Sequence, residues 1–173
     1  MGKKSVKEDK NIYQLSREEA DLTRAEASEA MVFVSESRLE KIENERSIIR
    51  PDEVLQMARA YKKPALCYHY CANECPIGHE YVPEVEMKSL TQVVLELLSS
   101  LNALEKQKDR FIDIAADGNV SDDELIDFVR IQDELSRVSL AIDSLNLWVD
   151  DTIVSGKIDA ERIREVRKSL KKG

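Results

Sequence analysis

Apolar residues along this chain recur at three- and four-residue steps, the spacing of helices. Residues 22–43, LTRAEASEAMVFVSESRLEKIE, carry two short amphipathic segments, each opened by a hydroxyl residue. Thr23 stands where a helix should begin, and Glu26 three positions on completes a capping box. Ser35 opens the second segment, whose Leu39 and Ile42 share one face while Glu36, Ser37, Arg38, Glu40 and Lys41 point outward. Too few residues separate the two for anything but a tight turn.

Beyond Met87 the pattern lengthens. Leu90, Val94, Leu97, Leu101, Leu104 and Phe111 keep helical spacing, and after a break so do Phe128, Leu135, Val138, Ile142, Leu145 and Val149. Two helices longer than about 20 residues are expected here. Their apolar stripes are too exposed to stand alone, so they should pair as an antiparallel, coiled-coil-like hairpin and add a second copy. Trp148 fits an interface anchor or a core position equally well. Asp159 caps a last, short, basic segment.

Two capped helices joined by a tight turn read as a helix-turn-helix, or as a helical hairpin whose outer face is merely solvated. Residues 15–61 resemble the DNA-binding domain of the Xre family of phage and bacterial repressors, a five-helix unit. Leu22-Thr23 resembles the start of its second helix, residues 35–43 its third with the Ile42-Glu43 pair, and Arg50-Pro51-Asp52-Glu53-Val54-Leu55 with Ala58 its fourth. Three positions depart from the family. Met31-Val32-Phe33-Val34 fill a turn that usually holds a glycine, with one residue more; Ser28 stands where an alanine is expected; and Asn44-Glu45-Arg46 lack the glycine that follows the Ile-Glu pair.

The resemblance implies a prokaryotic or phage transcription regulator that binds double-stranded DNA as a homodimer, with the second helix of the motif in the major groove. Ser37, Arg38 and Lys41 would then contact bases and Arg24 a phosphate. Glu36 or Glu40 would accept from the amino group of cytosine.

Charge adds a constraint. Residues 1–66 hold 13 Lys/Arg and 13 Asp/Glu, so the whole excess of 8 negative charges lies beyond them. A neutral domain binds DNA weakly as a monomer, because affinity comes mostly from phosphate neutralisation. A local basic rim of Arg17, Arg24, Arg38, Lys41, Arg46 and Arg50, doubled in a dimer, would offset this. The competing class is a helical protein-interaction module with a degenerate motif that has lost DNA.

Composition, 42% hydrophobic and 35% charged with few aromatics, suits a helical cytoplasmic protein. No apolar run approaches the roughly 18 residues a membrane span needs. No phosphate-cradling glycine loop, nucleophile elbow or HExxH is present, and an enzyme is not expected.

Residues 67–83, CYHYCANECPIGHEYVP, hold all three cysteines and both histidines. Cys67, Cys71 and Cys75 recur every four residues and His79 continues the series. Pro76 should end any helix near Cys75, leaving His79 on a turn with Gly78. Three thiolates and an imidazole make a zinc set, and an iron–sulfur cluster or a thiol redox switch also fits these letters. Reduced cysteines that simply pack fit them too. Residues 113–124 have the length of a calcium loop but place Ala115 where a ligand oxygen is needed. An Asp117-Gly118 turn followed by a Ser121/Glu124 capping box explains the same stretch.

The expected organisation is therefore all-α. A disordered arm spans residues 1–10 and a helix-turn-helix domain 11–66. A Cys-rich connector, 67–86, leads to a dimerising helical hairpin, 87–155, and a basic helix, 156–173.

Overall fold

The computed structural model describes residues 9–171 and is helical throughout, with no strand among them. The arm expected over residues 1–10 lies, up to residue 8, outside the described part. Two compact units emerge. One runs to Glu84 and takes in the chain again from Val149; the other is Val85–Trp148.

Five helices build the core of the first unit: α1 (Ile12–Glu19), α2 (Arg24–Glu29), α3 (Glu36–Glu43), α4 (Pro51–Ala60) and α5 (Ala65–Asn73). Asn11, Thr23 and Ser35 cap the first three by accepting from the amides of Gln14, Glu26 and Arg38, and Pro51 takes the first position of α4, where its missing amide costs nothing. Ala27, Leu39, Val54, Met57 and Leu66 are almost wholly enclosed and form one apolar cluster. The stretch read as a connector supplies part of this core: Cys67 and Tyr70 of α5 pack against the cluster. Pro76 does not merely end α5. It opens a further helix, α6 (Pro76–Tyr81), which contains Gly78 and His79 rather than leaving them on a turn.

The departures from the repressor pattern resolve locally. The turn between α2 and α3 needs no glycine, since no residue in it has a positive φ; Met31 and Val34 instead drop into the core. Ala27, not Ser28, is the enclosed small residue of α2, with no exposed surface and a place in the apolar cluster. The glycine missing after Ile42-Glu43 is replaced by Glu45 in the left-handed conformation, φ 57°. There the Arg46 amide bonds the Lys41 carbonyl and the Glu45 amide that of Ile42, a Schellman end. Asp21 and Lys62 close α1 and α4 in the same way.

A left-handed L-residue costs about 1–2 kcal/mol, partly offset by the entropy a glycine would lose. Glu45→Gly should therefore raise stability by about 0.5–1 kcal/mol, read as a higher urea midpoint at an unchanged slope.

The second unit holds α7 (Leu90–Glu105), α8 (Lys108–Ala115) and most of α9 (Leu125–Val154). The first of the two expected long helices is interrupted. Lys106, Gln107 and Lys108 fall where its apolar stripe should continue, and α7 stops after 16 residues. Asp117 and Gly118 turn the chain before α9, Gly118 with φ 75°. Ser121 with Glu124 caps the approach to it. The last helix, α10 (Ala160–Leu170), starts at its Asp159 cap and buries none of its residues.

Candidate nucleic-acid interface

α3 is fixed from two sides by buried carboxylates. Glu43, in its last turn, has a fully buried side chain. It accepts from Arg17 Nε at 2.6 Å and Nη2 at 2.9 Å, and from Arg24 Nε at 2.8 Å. One residue thus ties α1, α2 and α3 together. Arg17 also donates to the Leu22 carbonyl at the entrance of α2, at 2.7 Å.

On the other side, Arg38 forks onto Glu53 of α4 through Nε and Nη2, both at 2.7 Å. Its remaining donors reach the Ile48 carbonyl, at 2.7 Å, and the Ser47 hydroxyl. Glu53 accepts as well from the Arg50 amide at 2.9 Å, capping α4. The hydrogen bonds from Arg38 hold the Glu53 carboxyl below the usual carboxylate range, against the opposing effect of burial.

This distribution sorts the expected contact residues. Glu36, Ser37, Glu40 and Lys41 are exposed along one side of α3, while Leu39, Ile42 and Glu43 are buried on the other. Arg24 and Arg38 are half-buried and engaged with Glu43 and Glu53. Arg17, counted in the basic rim, is buried against Glu43. The reason is physical: a buried carboxylate must be paired, and these are the cations within reach. Lys41, Arg46 and Arg50 remain exposed.

In the sequence, Glu43 stands only as half of a family pair and Glu53 only as part of a helix start. Glu43 lies four residues after Leu39, on the apolar face of α3, and an acid there signals a buried ion pair. Glu53 carries the helix-start signature of a proline at the first position and an acid at the third.

The Cys-rich helices do not assemble a metal site. Among the described residues no group of three or more His, Cys, Asp or Glu is placed to hold an ion. That covers Cys67, Cys71, Cys75 and His79, and equally the acidic 113–124 loop. Only Cys67 and Cys71 lie on α5; Cys75 falls beyond its end, at the start of α6, and His79 lies within α6. Cys75 is used otherwise: its sulfur accepts from the Gly78 amide at 3.4 Å and caps α6. A Cβ on Gly78 would fall 2.0 Å from the Cys71 carbonyl oxygen, so α6 rests directly on the α5 backbone. Burial, and secondarily the neighbouring Cys71, push the Cys67 thiol upward, away from thiolate chemistry.

Among the described residues no helix is long and apolar enough to cross a membrane. Neither the curated proteins nor the solved structures gave a match. A family model described as helix-turn-helix matches residues 15–66, which reach from α1 into the first turn of α5. Over those residues the chain carries a helix-turn-helix domain of the Xre, phage-repressor-like type, a family of DNA-binding regulators.

Proposed function

We propose that this protein is a sequence-specific transcription regulator that binds double-stranded DNA as a dimer, with the exposed side of α3 in the major groove. The observation that carries this is a helix clamped on its buried side by Glu43 and by Arg38–Glu53, with Ser37 and Lys41 displayed on the other. A rigid mounting is what base readout needs, because hydrogen bonds to base edges tolerate little misplacement.

Ser37 and Lys41 contact base edges or flanking phosphates, and Glu36 or Glu40 accepts from a cytosine amino group. Arg46, exposed just past α3, adds a phosphate contact. Arg24, its side chain 31% exposed, reaches a phosphate from the pair it makes with Glu43. Arg38 acts through the mounting of α3 rather than in the groove. Two copies place two such helices about 34 Å apart on a pseudo-palindromic site, which compensates for the neutral charge of each domain.

A second reading, a protein-interaction module, is favoured by the two exposed acids Glu36 and Glu40 on the same face. Titrating the full chain against pooled genomic DNA fragments at several salt concentrations separates the two. The regulator should bind saturably, with affinity falling steeply as salt rises, and Lys41→Ala should weaken binding about tenfold without changing stability. Salt-independent binding, or a Lys41→Ala variant that binds as tightly as the parent, would sink the DNA reading.

A further inference from the structure

Within the second unit, α7 and α9 line a common cleft of about 540 Å³. Small side chains face it, Ser100 and Ala103 from α7 and Ala141 from α9, and they leave the space between the two helices unfilled. Ser100 and Ala141 are 9% and 3% exposed, so the cleft reaches into the unit instead of lying flat on its surface. Its volume falls among those of small-molecule sites, roughly 300–1,000 Å³.

The Ser100 hydroxyl is without a partner there. Other serines of α9 satisfy themselves against their own helix: Ser136 donates to the Gln132 carbonyl at 3.0 Å and Ser144 to that of Leu140 at 2.9 Å. Ser100, more than nine-tenths buried, makes no such bond and pairs with no other group among the described residues. An enclosed hydroxyl in that position calls for a partner from outside the chain.

A carboxylate on the same cleft also has capacity to spare. The Glu134 side chain is 15% exposed; its Oε1 accepts from Arg137 Nη1 at 2.8 Å, and its Oε2 accepts from nothing among the described residues. The other acid on the cleft, Glu96, has both oxygens taken by Lys88, at 3.0 and 2.8 Å. The two cations of the lining are thus each in an ion pair, and Arg137 lies largely in water, 66% exposed. What the enclosed part of the cleft leaves open is acceptors. The unit around it, Val85–Trp148, holds thirteen acids against six bases, a field that draws cations in.

We propose that this cleft binds a small organic cation, an amine or amidine carried on an apolar body. The charged head donates to Glu134, a further polar hydrogen reaches the Ser100 hydroxyl, and the body lies along Leu95, Ala103 and Leu140. The site belongs to the second unit alone, and it stands or falls independently of whether α3 reads DNA.

Isothermal titration of the full chain with benzamidine, benzamide and benzoate tests it, because the three share a ring and differ in the charge of the head. Benzamidine should bind saturably, one per chain, with benzamide and benzoate at least about tenfold weaker. Glu134→Gln, which keeps the shape and removes the charge, should weaken benzamidine by about tenfold or more, and Ser100→Ala by about three- to fivefold. Asp133→Asn removes the same charge from the neighbouring exposed position, outside the cleft, and should change the affinity by less than about twofold. Far-UV circular dichroism checks that each variant stays helical; should Glu134→Gln lose helix, Ser100→Ala, a change that favours helix, carries the test. Absence of saturable benzamidine binding, equal affinity for the three probes, an Asp133→Asn loss as large as that of Glu134→Gln, or indifference to both cleft variants would overturn the proposal.

Discussion

Glu43→Ala is expected to destabilise the helix-turn-helix domain by about 3–5 kcal/mol, a large share of the roughly 5–15 kcal/mol that keeps an ordinary domain folded. Removing this carboxylate strands Arg17, which is itself buried, and takes from Arg24 the partner that holds it to α3. The loss is dominated by the uncompensated guanidinium rather than by the missing hydrogen bonds. A companion variant shows this: replacing the pair with Arg17→Met and Glu43→Leu removes both buried charges and should recover most of the lost stability. Arg24→Ala alone should cost less, because Arg24 is partly hydrated and Glu43 keeps its fork to Arg17. Urea unfolding followed by far-UV circular dichroism ranks the four proteins. A Glu43→Ala chain as stable as the parent would refute the clamp.

Arg38→Ala should cost about 2–3 kcal/mol, and the cost should depend on pH. Glu53 would be left buried without its main partner, and the loop holding Ser47 and Ile48 would lose its staple to α3. The folded-state pKa of Glu53 lies below its ordinary value of 4.5, the Arg38 hydrogen bonds being the largest cause. Its contribution to stability is therefore complete above about pH 4.5 and fades as the pH falls through the depressed folded value. The parent and Arg38→Ala should accordingly differ most near neutrality and converge in acid, measured as urea midpoints at each pH. A gap that stays constant below pH 4.5 would assign the effect to lost packing instead. The consequence for function is practical: weakened DNA binding by Arg38→Ala reports a displaced α3, and Lys41→Ala is the substitution that reads the groove.

How much was legible beforehand follows from the range of each interaction. The starts of α2, α3 and α4 were readable because a cap is a local device, a hydroxyl or proline and an acid within four residues. The outward side of α3 was equally legible, since Leu39 and Ile42 fix which face is inward. What the same pattern could not show is that three of its six basic candidates, Arg17, Arg24 and Arg38, are held by carboxylates 26, 19 and 15 residues away. Side-chain pairing over such distances leaves no periodic trace. In the Cys-rich stretch, where packing and ligand readings fit the same letters, the close approach of α6 to the α5 backbone at Gly78 was equally illegible, because it too joins residues by tertiary packing.

The chain by itself determined that the protein is helical, where the motif helices begin, and which side of α3 faces outward, because caps and amphipathic period act within one or two turns. Only the tertiary structure decided that Glu43 and Glu53 claim Arg17, Arg24 and Arg38, that a glutamate can end α3 in place of a glycine, and that Val94 and Leu101 of α7 and Leu135 and Ile142 of α9 stay partly exposed. Those outcomes depend on which groups burial brings together and which it leaves without cover, a property of the packed whole.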